Sequence, residues 1–206
     1  MPVELPTRSR AALARAATKM TGENEVGKAL QSIEEHKIAA AIELVKDLRA
    51  QGKRVLVFTL RRDSAKQIGE ALDIPYVTGA DAPGDRRAKL ITKDAGVATV
   101  FSVTTGIDLV GFNVAVFVGL DWVPSTLLQA EARIHRIGQN DDVIFYYMIG
   151  LGTIDEVICS TVITRLDNFS TVVGSAKDED DMSASLRGNK SEDDLIAEII
   201  SQVRAS

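Results

Sequence analysis

Few residues of this sequence offer covalent or metal chemistry, because its 206 residues include only one cysteine, one tryptophan and two histidines. The single Cys159 has no partner, which excludes a disulfide framework and favours a reducing compartment. His36 has no second metal-type side chain near it in sequence, so we interpret it as a residue at a helix junction and expect no bound metal. No apolar run approaches the length of a membrane span. We therefore expect no membrane partner and an intracellular location, either cytoplasmic or nucleoid-associated.

A basic excess is also missing from the chain. The net charge is −5, whereas a stand-alone nucleic-acid binder is usually strongly basic. Residues 177–204 hold eight acidic and four basic side chains, so this segment carries −4 and the rest of the chain carries about −1. The near-neutral body argues against a stand-alone DNA-binding module, although it neither supports nor forbids local DNA contact.

Composition divides the chain into three regions. Residues 1–36 begin with many arginines and alanines, and we interpret them as an N-terminal helical extension rather than a targeting peptide, because Pro2, Glu4 and Pro6 do not suit one. Residues 37–174 form the main domain. Residues 175–206 are predicted to be an acidic, partly disordered linker and a terminal helix. That helix either binds a protein partner or packs back on the main domain.

Apolar runs alternate with amphipathic segments through the main domain, which predicts an α/β fold with a doubly wound parallel sheet. We expect strands at 53–59, 76–78, 97–103, 113–119 and 143–149. We expect helices at 7–20, 25–50, 63–72, 81–92, 125–136 and 153–169, with residue 81 as the cap of its helix. The polar centre of the second helix, at 35–37, is compatible with a break there.

The helix predicted at 125–136 carries a pattern that suits an anion. Gln129, Arg133 and Arg136 fall at i, i+4 and i+7, so they share one stripe. The apolar side chains form another stripe: Leu127, Ala130, Ile134 and Ile137. Two guanidiniums beside an amide suit a multi-oxygen anion such as phosphate. Two solvated surface arginines are the alternative, but the buried strand just before the helix places this stripe near the ligand edge of the sheet.

The stretch from Gln129 to Gln139 resembles the last helicase motif of the Swi/Snf-type ATPases, Q-A-x-x-R-x-H-R-I-G-Q, with every specified letter present. Just upstream, Asp121-Trp122-x-Pro124 stands where that family has a D/F-W-N-P segment. The resemblance covers roughly residues 37–174 and is nearest in style to annealing-helicase-type and phage members, the latter of which would act in a host cytoplasm. It implies a RecA-like C-terminal helicase domain.

In that family ATP lies between two RecA-like lobes, of which the first holds the phosphate loop and Mg²⁺ and the second supplies arginine fingers. The resemblance implies that Arg133 and Arg136 are the fingers and that Gln129 helps to position the γ-phosphate. The sequence contains neither a G-x-x-x-x-G-K-[ST] pattern nor an Asp-Glu-x-His box. We therefore expect ATP to be shared with a first lobe, in cis or in trans, that holds the Mg²⁺. The chain alone is not expected to hydrolyse ATP.

The segment Thr104-Thr105-Gly106-Ile107-Asp108 is similar to the family motif that couples nucleotide and DNA. The resemblance implies that Gly106 lets the backbone approach the first lobe and that Asp108 contacts the ribose or the attacking water, while Thr104 lies on the DNA side. The loop is shorter than usual in the family and reads Gly-Ile-Asp rather than Gly-Leu-Asn. For Asp108, a simple turn aspartate is an equally weighted alternative.

Two further stretches match DNA contacts of the family, where loop amides and hydroxyls usually touch phosphates. Thr59, followed by Arg61 and Arg62, ends the first strand of the main domain. Thr78-Gly79 resembles the start of a G-S-T-x-x-x-D-R stretch.

This second stretch departs from the family pattern, because Ala80 and Asp81 replace its serine and threonine. An aspartate that faces a phosphate is repulsive, so this DNA contact is expected to be weakened. Arg86 and Arg87 either compensate or form a solvated helix face.

We therefore predict the second motor lobe of an ATP-dependent helicase or translocase that acts on duplex or branched DNA. The alternative is a non-catalytic RecA-like adaptor that binds a protein partner through its tail. The substitutions at Ala80 and Asp81 and the shortened loop at 102–108 favour the adaptor, whereas the presence of both Arg133 and Arg136 disfavours it.

Overall fold

The computed structural model describes residues 1–17, 19, 22–103, 107–121, 124–134, 139, 142–160, 194, 197 and 199–201. Strands and helices alternate along the chain, and residues 154–160 are also helical. The elements are β1 Pro2–Val3, α1 Thr7–Ala17, α2 Glu23–Ala50, β2 Val55–Thr59, α3 Arg62–Leu72, β3 Tyr76–Val77, α4 Pro83–Leu90, β4 Ala95–Thr99, α5 Val100–Val103, β5 Val114–Phe117, α6 Pro124–Ala132, β6 Ile144–Tyr147 and β7 Ile149–Gly150.

Five strands form the central sheet in the order β3-β4-β2-β5-β6, and all neighbours are parallel. Every residue of β2, β4 and β5 is buried, as expected for strands covered by helices on both faces. The predicted α/β fold with a doubly wound parallel sheet is confirmed. Because the strands are parallel, the loops that follow β2, β3, β4 and β5 meet at one edge of the sheet, here called the carboxyl edge.

Helix α2 is continuous, so the break considered at residues 35–37 is wrong. Its buried side chains run from Val26 through Ile33 and Ile38 to Val45 without interruption. Glu34 and Lys37 are also fully buried, so the polar centre of the helix faces the core instead of interrupting it. The predicted boundary between residues 36 and 37 therefore falls inside one helix, which the N-terminal extension and the main domain share.

Two predicted strands have different limits in the structure. β4 begins at Ala95 and ends at Thr99, and Val100–Val103 is helical instead of continuing the strand. β6 ends at Tyr147, and β7 leaves the central sheet to pair in parallel with β1, a strand that the sequence did not predict. A short apolar run is compatible with strand or helix, which explains why periodicity alone misplaced these ends.

Two predicted helices are also shorter than expected. Ala82, rather than Asp81, is the N-cap of α4, with Pro83 at its first turn. Helix α6 ends at Ala132, and its last turn tightens, because the Ile134 amide donates to the Glu131 carbonyl three residues back at 2.9 Å. Residues 135 and 136, predicted to continue this helix, lie outside the described residues.

The tail is described at only a few positions. Residues 194, 197 and 199–201 are helical, in agreement with the predicted terminal helix, whereas the predicted disordered linker lies outside the described residues. Ile199 and Ile200 are buried and belong to the same apolar cluster as the main core. This burial favours a helix that packs back on the chain. Among the described residues, no helix has both the length and the apolarity needed to cross a bilayer.

Candidate nucleotide and nucleic-acid site

Seven of the ten predicted site residues lie in the described part of the chain, and they form two groups. The first group lies at the carboxyl edge, where Thr59 ends β2, Arg61 follows it, and Thr78 and Gly79 follow β3. A second group comes from the segment 107–110, from α6 and from the turn after α6, and it consists of Asp108, Gln129 and Arg133. The remaining predicted site residues, Thr104, Gly106 and Arg136, lie outside the described residues.

Asp108 and Arg133 are brought together by the backbone. The amide of Leu109, next to Asp108, donates to the carbonyl of Arg133 at 2.9 Å. The end of α6 is therefore fixed against the segment that carries Asp108, although 24 residues separate Leu109 from Arg133 in sequence. A carboxylate and a guanidinium held on adjoining segments can address different parts of one nucleotide.

A second bond ties the same two segments together. The side-chain amide of Gln139 donates to the Phe112 carbonyl at 2.8 Å and lies 3.5 Å from the Ile134 carbonyl. From the sequence alone, Gln139 is only the last residue of the motif. In the structure Gln139 joins the end of the motif to the segment that follows Asp108, so its side chain has a structural role.

Arg133 lies in a sheltered position. It is 7% exposed and lies in the turn just after α6, whereas Gln129, within α6, is half-buried. The predicted apolar stripe is buried as expected at its described positions, Leu127, Ala130 and Ile134. A guanidinium that is shielded from water interacts more strongly with a phosphate than an exposed one does.

Asp108 forms a turn and keeps one oxygen available. Its Oδ1 accepts a hydrogen bond from the Val110 amide at 3.0 Å, and its carbonyl accepts one from Nε of Arg87 at 2.8 Å. The Oδ1 atom therefore acts as the alternative interpretation expects of a simple turn aspartate. Among the described residues, Oδ2 has no hydrogen bond, so a ligand contact through that atom remains compatible with the turn.

An aromatic stack fixes α6 against the sheet. Phe58, Phe117 and Tyr147 occupy paired positions on β2, β5 and β6, and their rings stack with centroids 4.6 and 5.0 Å apart. The Tyr147 hydroxyl donates to Oε1 of Glu131 on α6. Burial raises the pKa of Glu131 to about 7. The position of α6 therefore depends on a carboxyl group that titrates near neutrality.

The loop after β2 presents its two arginines differently. Thr59 is fully buried and its hydroxyl donates to the Arg61 carbonyl at 3.1 Å, so this side chain shapes the loop and does not face solvent. Arg61 pairs with Glu35 at 3.2 Å and with Asp63 at 3.4 Å. Arg62 is exposed, and among the described residues its guanidinium has no ion pair. Arg62, rather than Arg61, is therefore the available cation of this loop.

Arg62 also connects the loops after β2 and β3. Its Nη2 lies 3.5 Å from the position that a Cβ atom on Gly79 would occupy. The guanidinium therefore packs over Gly79, so a positive charge lies against a backbone position that has no side chain. Such a combination suits a phosphate oxygen of a nucleic-acid backbone.

Asp81 stabilises the loop after β3. Its carboxylate accepts from the Thr78 amide at 2.7 Å and the Thr78 hydroxyl at 3.3 Å, and it pairs with Lys89 at 2.9 Å. Burial alone would raise the pKa of Asp81, but hydrogen bonds from Lys89 and Thr78 and the charge of Lys89 hold it below its ordinary value. The carboxylate is thus engaged within the loop, and Lys89 offsets the repulsion expected from the sequence.

The two arginines of α4 have different roles. Arg86 is buried and donates to the carbonyls of Asp81 at 2.9 Å and Ser102 at 2.7 Å. It therefore joins the loop after β3 to α5. Arg86 is thus neither a cation available to a phosphate nor part of a solvated helix face, the two predicted alternatives. Arg87 is exposed and bonds the Asp108 carbonyl, which links α4 to the other group of site residues.

A buried pair of charges, which was not predicted from the sequence, lies under the sheet. Lys37 on α2 donates to Oδ2 of Asp155 at 2.6 Å and to the Met148 carbonyl at 2.9 Å, and the side chains of Lys37 and Asp155 are 0% and 1% exposed. Asp155 lies in the first turn of the helix at residues 154–160. The only signal in the sequence was the presence of charged residues on an apolar helix face, and their partners are far away along the chain.

Comparison with known proteins gives a consistent match. Residues 36–138 match the family described as helicase conserved C-terminal domain. A relative from Xenopus tropicalis, the SWI/SNF-related matrix-associated actin-dependent regulator of chromatin subfamily A-like protein 1, is 31% identical over 177 residues. That match covers 76% of this chain but only 19% of the relative. The chain thus spans about a fifth of the length of this curated relative.

Two solved structures have a similar fold. The SWI2/SNF2 ATPase core domain of Sulfolobus solfataricus matches with a TM-score of 0.62 and 19% identity, over 85% of this chain and 44% of that one. The same core in complex with double-stranded DNA matches with a TM-score of 0.61 and 20% identity, over 91% of this chain and 48% of that one. At these identities the two matches support the fold alone.

Proposed function

Because the chain belongs to the helicase conserved C-terminal domain family and is of the Swi/Snf type, we propose that it is the second motor lobe of a DNA-dependent ATPase. In this role it supplies arginine fingers and DNA-backbone contacts to a first RecA-like lobe, in cis or in trans. The expected reaction is hydrolysis of ATP coupled to movement along duplex or branched DNA. The site of action is intracellular.

The observation that carries this proposal is the bond between the Leu109 amide and the Arg133 carbonyl at 2.9 Å. It holds the last helicase motif beside Asp108, so two segments of the lobe approach a nucleotide together. ATP would supply the phosphoryl group and the first lobe would hold Mg²⁺. Arg133 and Arg136 would neutralise the charge that develops on the γ-phosphate, while Gln129 would help to orient it.

The DNA face is proposed separately on the loops after β2 and β3. Arg62 packs over Gly79, and Thr78 and Asp81 fix the backbone beside them. Arg61 is already paired with two carboxylates and would contribute less charge. A phosphate bound there would be held chiefly by the guanidinium of Arg62, because the amides of Thr78 and Ala80 are already bonded within the loop. Contact through one available cation suits sequence-independent binding of the DNA backbone.

The test is a reconstitution with the polypeptide that carries the phosphate loop and the Mg²⁺ box, sought in the gene next to this chain. ATP hydrolysis is measured with and without a 30-bp duplex. The variants are Arg133→Ala, Arg136→Ala and the matched control Arg49→Ala, whose guanidinium pairs with Asp94 just before the amino end of β4. Removal of an arginine finger is expected to lower the turnover number about a thousandfold, whereas the control should retain it.

Equal hydrolysis rates with and without this chain would refute the proposal and favour the non-catalytic adaptor. A composite rate that is indifferent to both finger substitutions would refute the assigned roles of Arg133 and Arg136. Variants should first be compared with the unmodified chain by circular dichroism, so that loss of activity is not confused with loss of fold.

A further inference from the structure

We propose that Glu34 is a positioning residue that holds the loop of residues 60–62 in the shape that presents Arg62 to a DNA phosphate. The inference rests on the proposed DNA face and adds to it a residue on a different element, helix α2. Glu34 would not touch DNA itself. It would act through the backbone of the loop above it.

The carboxylate of Glu34 binds consecutive residues of that loop. Glu34 is fully buried, and its two oxygens accept from the Leu60 amide at 2.5 Å and the Arg61 amide at 3.2 Å. The side chain of Ser64, in the first turn of α3, adds a third hydrogen bond. The loop and the start of α3 are therefore fixed on one carboxylate, and Arg62 lies between these bonded residues.

The surroundings of Glu34 leave it little freedom to move. A Cβ atom on Gly119 would lie only 2.0 Å from Oε2 of Glu34, so the carboxylate fills the space that the glycine leaves. One helical turn along α2, Lys37 is bonded to Asp155 and to the Met148 carbonyl. Burial raises the pKa of Glu34, although the amides, Ser64 and Lys37 oppose this effect. Burying the carboxylate of Glu34 costs free energy, and its hydrogen bonds stabilise the shape of the loop.

The neighbouring Glu35 provides a natural contrast. It lies on the same helix, but its side chain is 64% exposed and it pairs with Arg61 at 3.2 Å. Replacement of either glutamate by glutamine removes one negative charge near the DNA face. A purely electrostatic effect would strengthen DNA binding in both variants. A positioning role for Glu34 predicts opposite signs for the two substitutions.

The experiment measures binding of a fluorescein-labelled 20-bp duplex by fluorescence anisotropy from 25 to 200 mM NaCl. The proteins are the unmodified chain, E34Q, E35Q, R62A and the double variant E34Q/R62A. We expect E34Q to raise Kd about tenfold, the equivalent of one charge-assisted hydrogen bond. E35Q should leave Kd unchanged or lower it. R62A should weaken binding and reduce the salt slope by about one, as expected for one phosphate contact.

The combined effect of E34Q and R62A on Kd distinguishes a positioning role of Glu34 from a general loss of stability. If Glu34 acts through Arg62, E34Q should add almost nothing to R62A, because the contact that it positions is already absent. The exchange rates of the Leu60 and Arg61 amide protons, measured by NMR, should rise about tenfold in E34Q and stay constant in E35Q. Should E34Q fail to fold, Glu34→Asp keeps the charge, shortens the reach and should weaken binding similarly.

Three results would overturn the inference. E34Q could bind DNA as well as E35Q does, or its effect could add fully to that of R62A, and either result removes the positioning role while leaving the DNA face intact. If the unmodified chain does not bind the duplex at any salt concentration, the DNA face proposed above fails and the inference fails with it.

Discussion

The buried ion pair between Lys37 and Asp155 makes a quantitative prediction about stability. The pair is 0% and 1% exposed with an N–O distance of 2.6 Å, and Oδ2 of Asp155 also accepts from the Gly150 amide at 2.9 Å. In the described part of the chain, Oδ1 of Asp155 is buried without a hydrogen bond. Replacing Lys37 by methionine would leave this carboxylate buried without a counter-charge. The expected cost is about 3–5 kcal/mol of unfolding free energy.

The size of this effect makes it easy to measure. For a domain of this length, each kcal/mol lowers Tm by about 2–4 °C, so Lys37→Met should lower Tm by roughly 6–20 °C. Asp155→Asn should be similarly costly, because it leaves the Lys37 ammonium buried. The double variant should lose less than the two single losses together, since no charge remains uncompensated.

The assay is urea unfolding followed by far-UV circular dichroism at pH 7, with the double-mutant cycle completed by the unmodified chain. Lys46→Met is the matched control, because Lys46 pairs with Glu43 at 2.8 Å on the surface, where the side chains are 53% and 70% exposed. That variant should change the unfolding free energy by less than about 0.5 kcal/mol. If Lys37→Met is no more costly than Lys46→Met, or if the two buried substitutions are additive, the reasoning is refuted.

Two further substitutions test the surroundings of the site. Glu131→Gln should make the unfolding free energy less dependent on pH. Burial raises the pKa of Glu131 from 4.5 to about 7. The stabilisation from protonated Glu131 is therefore complete below pH 4.5 and is lost as the pH rises through 7. Thermal unfolding should show the glutamine variant as the more stable protein at pH 8 but not at pH 5, and parallel profiles would contradict this assignment. Gly119→Ala should cost about 1–3 kcal/mol in urea unfolding, because its Cβ would collide with Glu34. Gly84→Ala, where no atom lies within 4 Å, is the control, and equal losses would refute the role of Gly119.

The sequence was sufficient to predict the alternation of strands and helices and the parallel sheet, because each buried strand is a short apolar run between polar turns. It was insufficient at Val100–Val103, where an apolar run continues beyond the strand as a helix. The local pattern also could not reveal that β7 leaves the central sheet for β1, since Ile149 and Pro2 are paired across almost the whole main domain. Long-range pairing of such short strands leaves no periodic signal.

Within the site, the sequence offered candidate residues, but it did not show which contacts hold them in place. The motif from Gln129 to Gln139 was recognisable, and Asp108 was selected with it. The bond from Leu109 to Arg133 and the bond from Gln139 to Phe112 were not predictable, because each joins segments that are distant in sequence. Glu34 and Lys37 were missed for a related reason. Such side chains are rarely buried unless they are paired, and no local pattern showed their partners.

Asp81 shows that the effect of a departure from a family pattern depends on the contacts of the new side chain, not on its residue type alone. The sequence alone places a negative charge where the family has a threonine, and this charge seemed to count against DNA binding. In the structure the carboxylate accepts hydrogen bonds from Thr78 and pairs with Lys89, while the Asp81 carbonyl accepts from Arg86. The substitution therefore comes with its own counter-charge and an ordered loop. Removal of Lys89, rather than the presence of Asp81, is what should make this loop repel a phosphate.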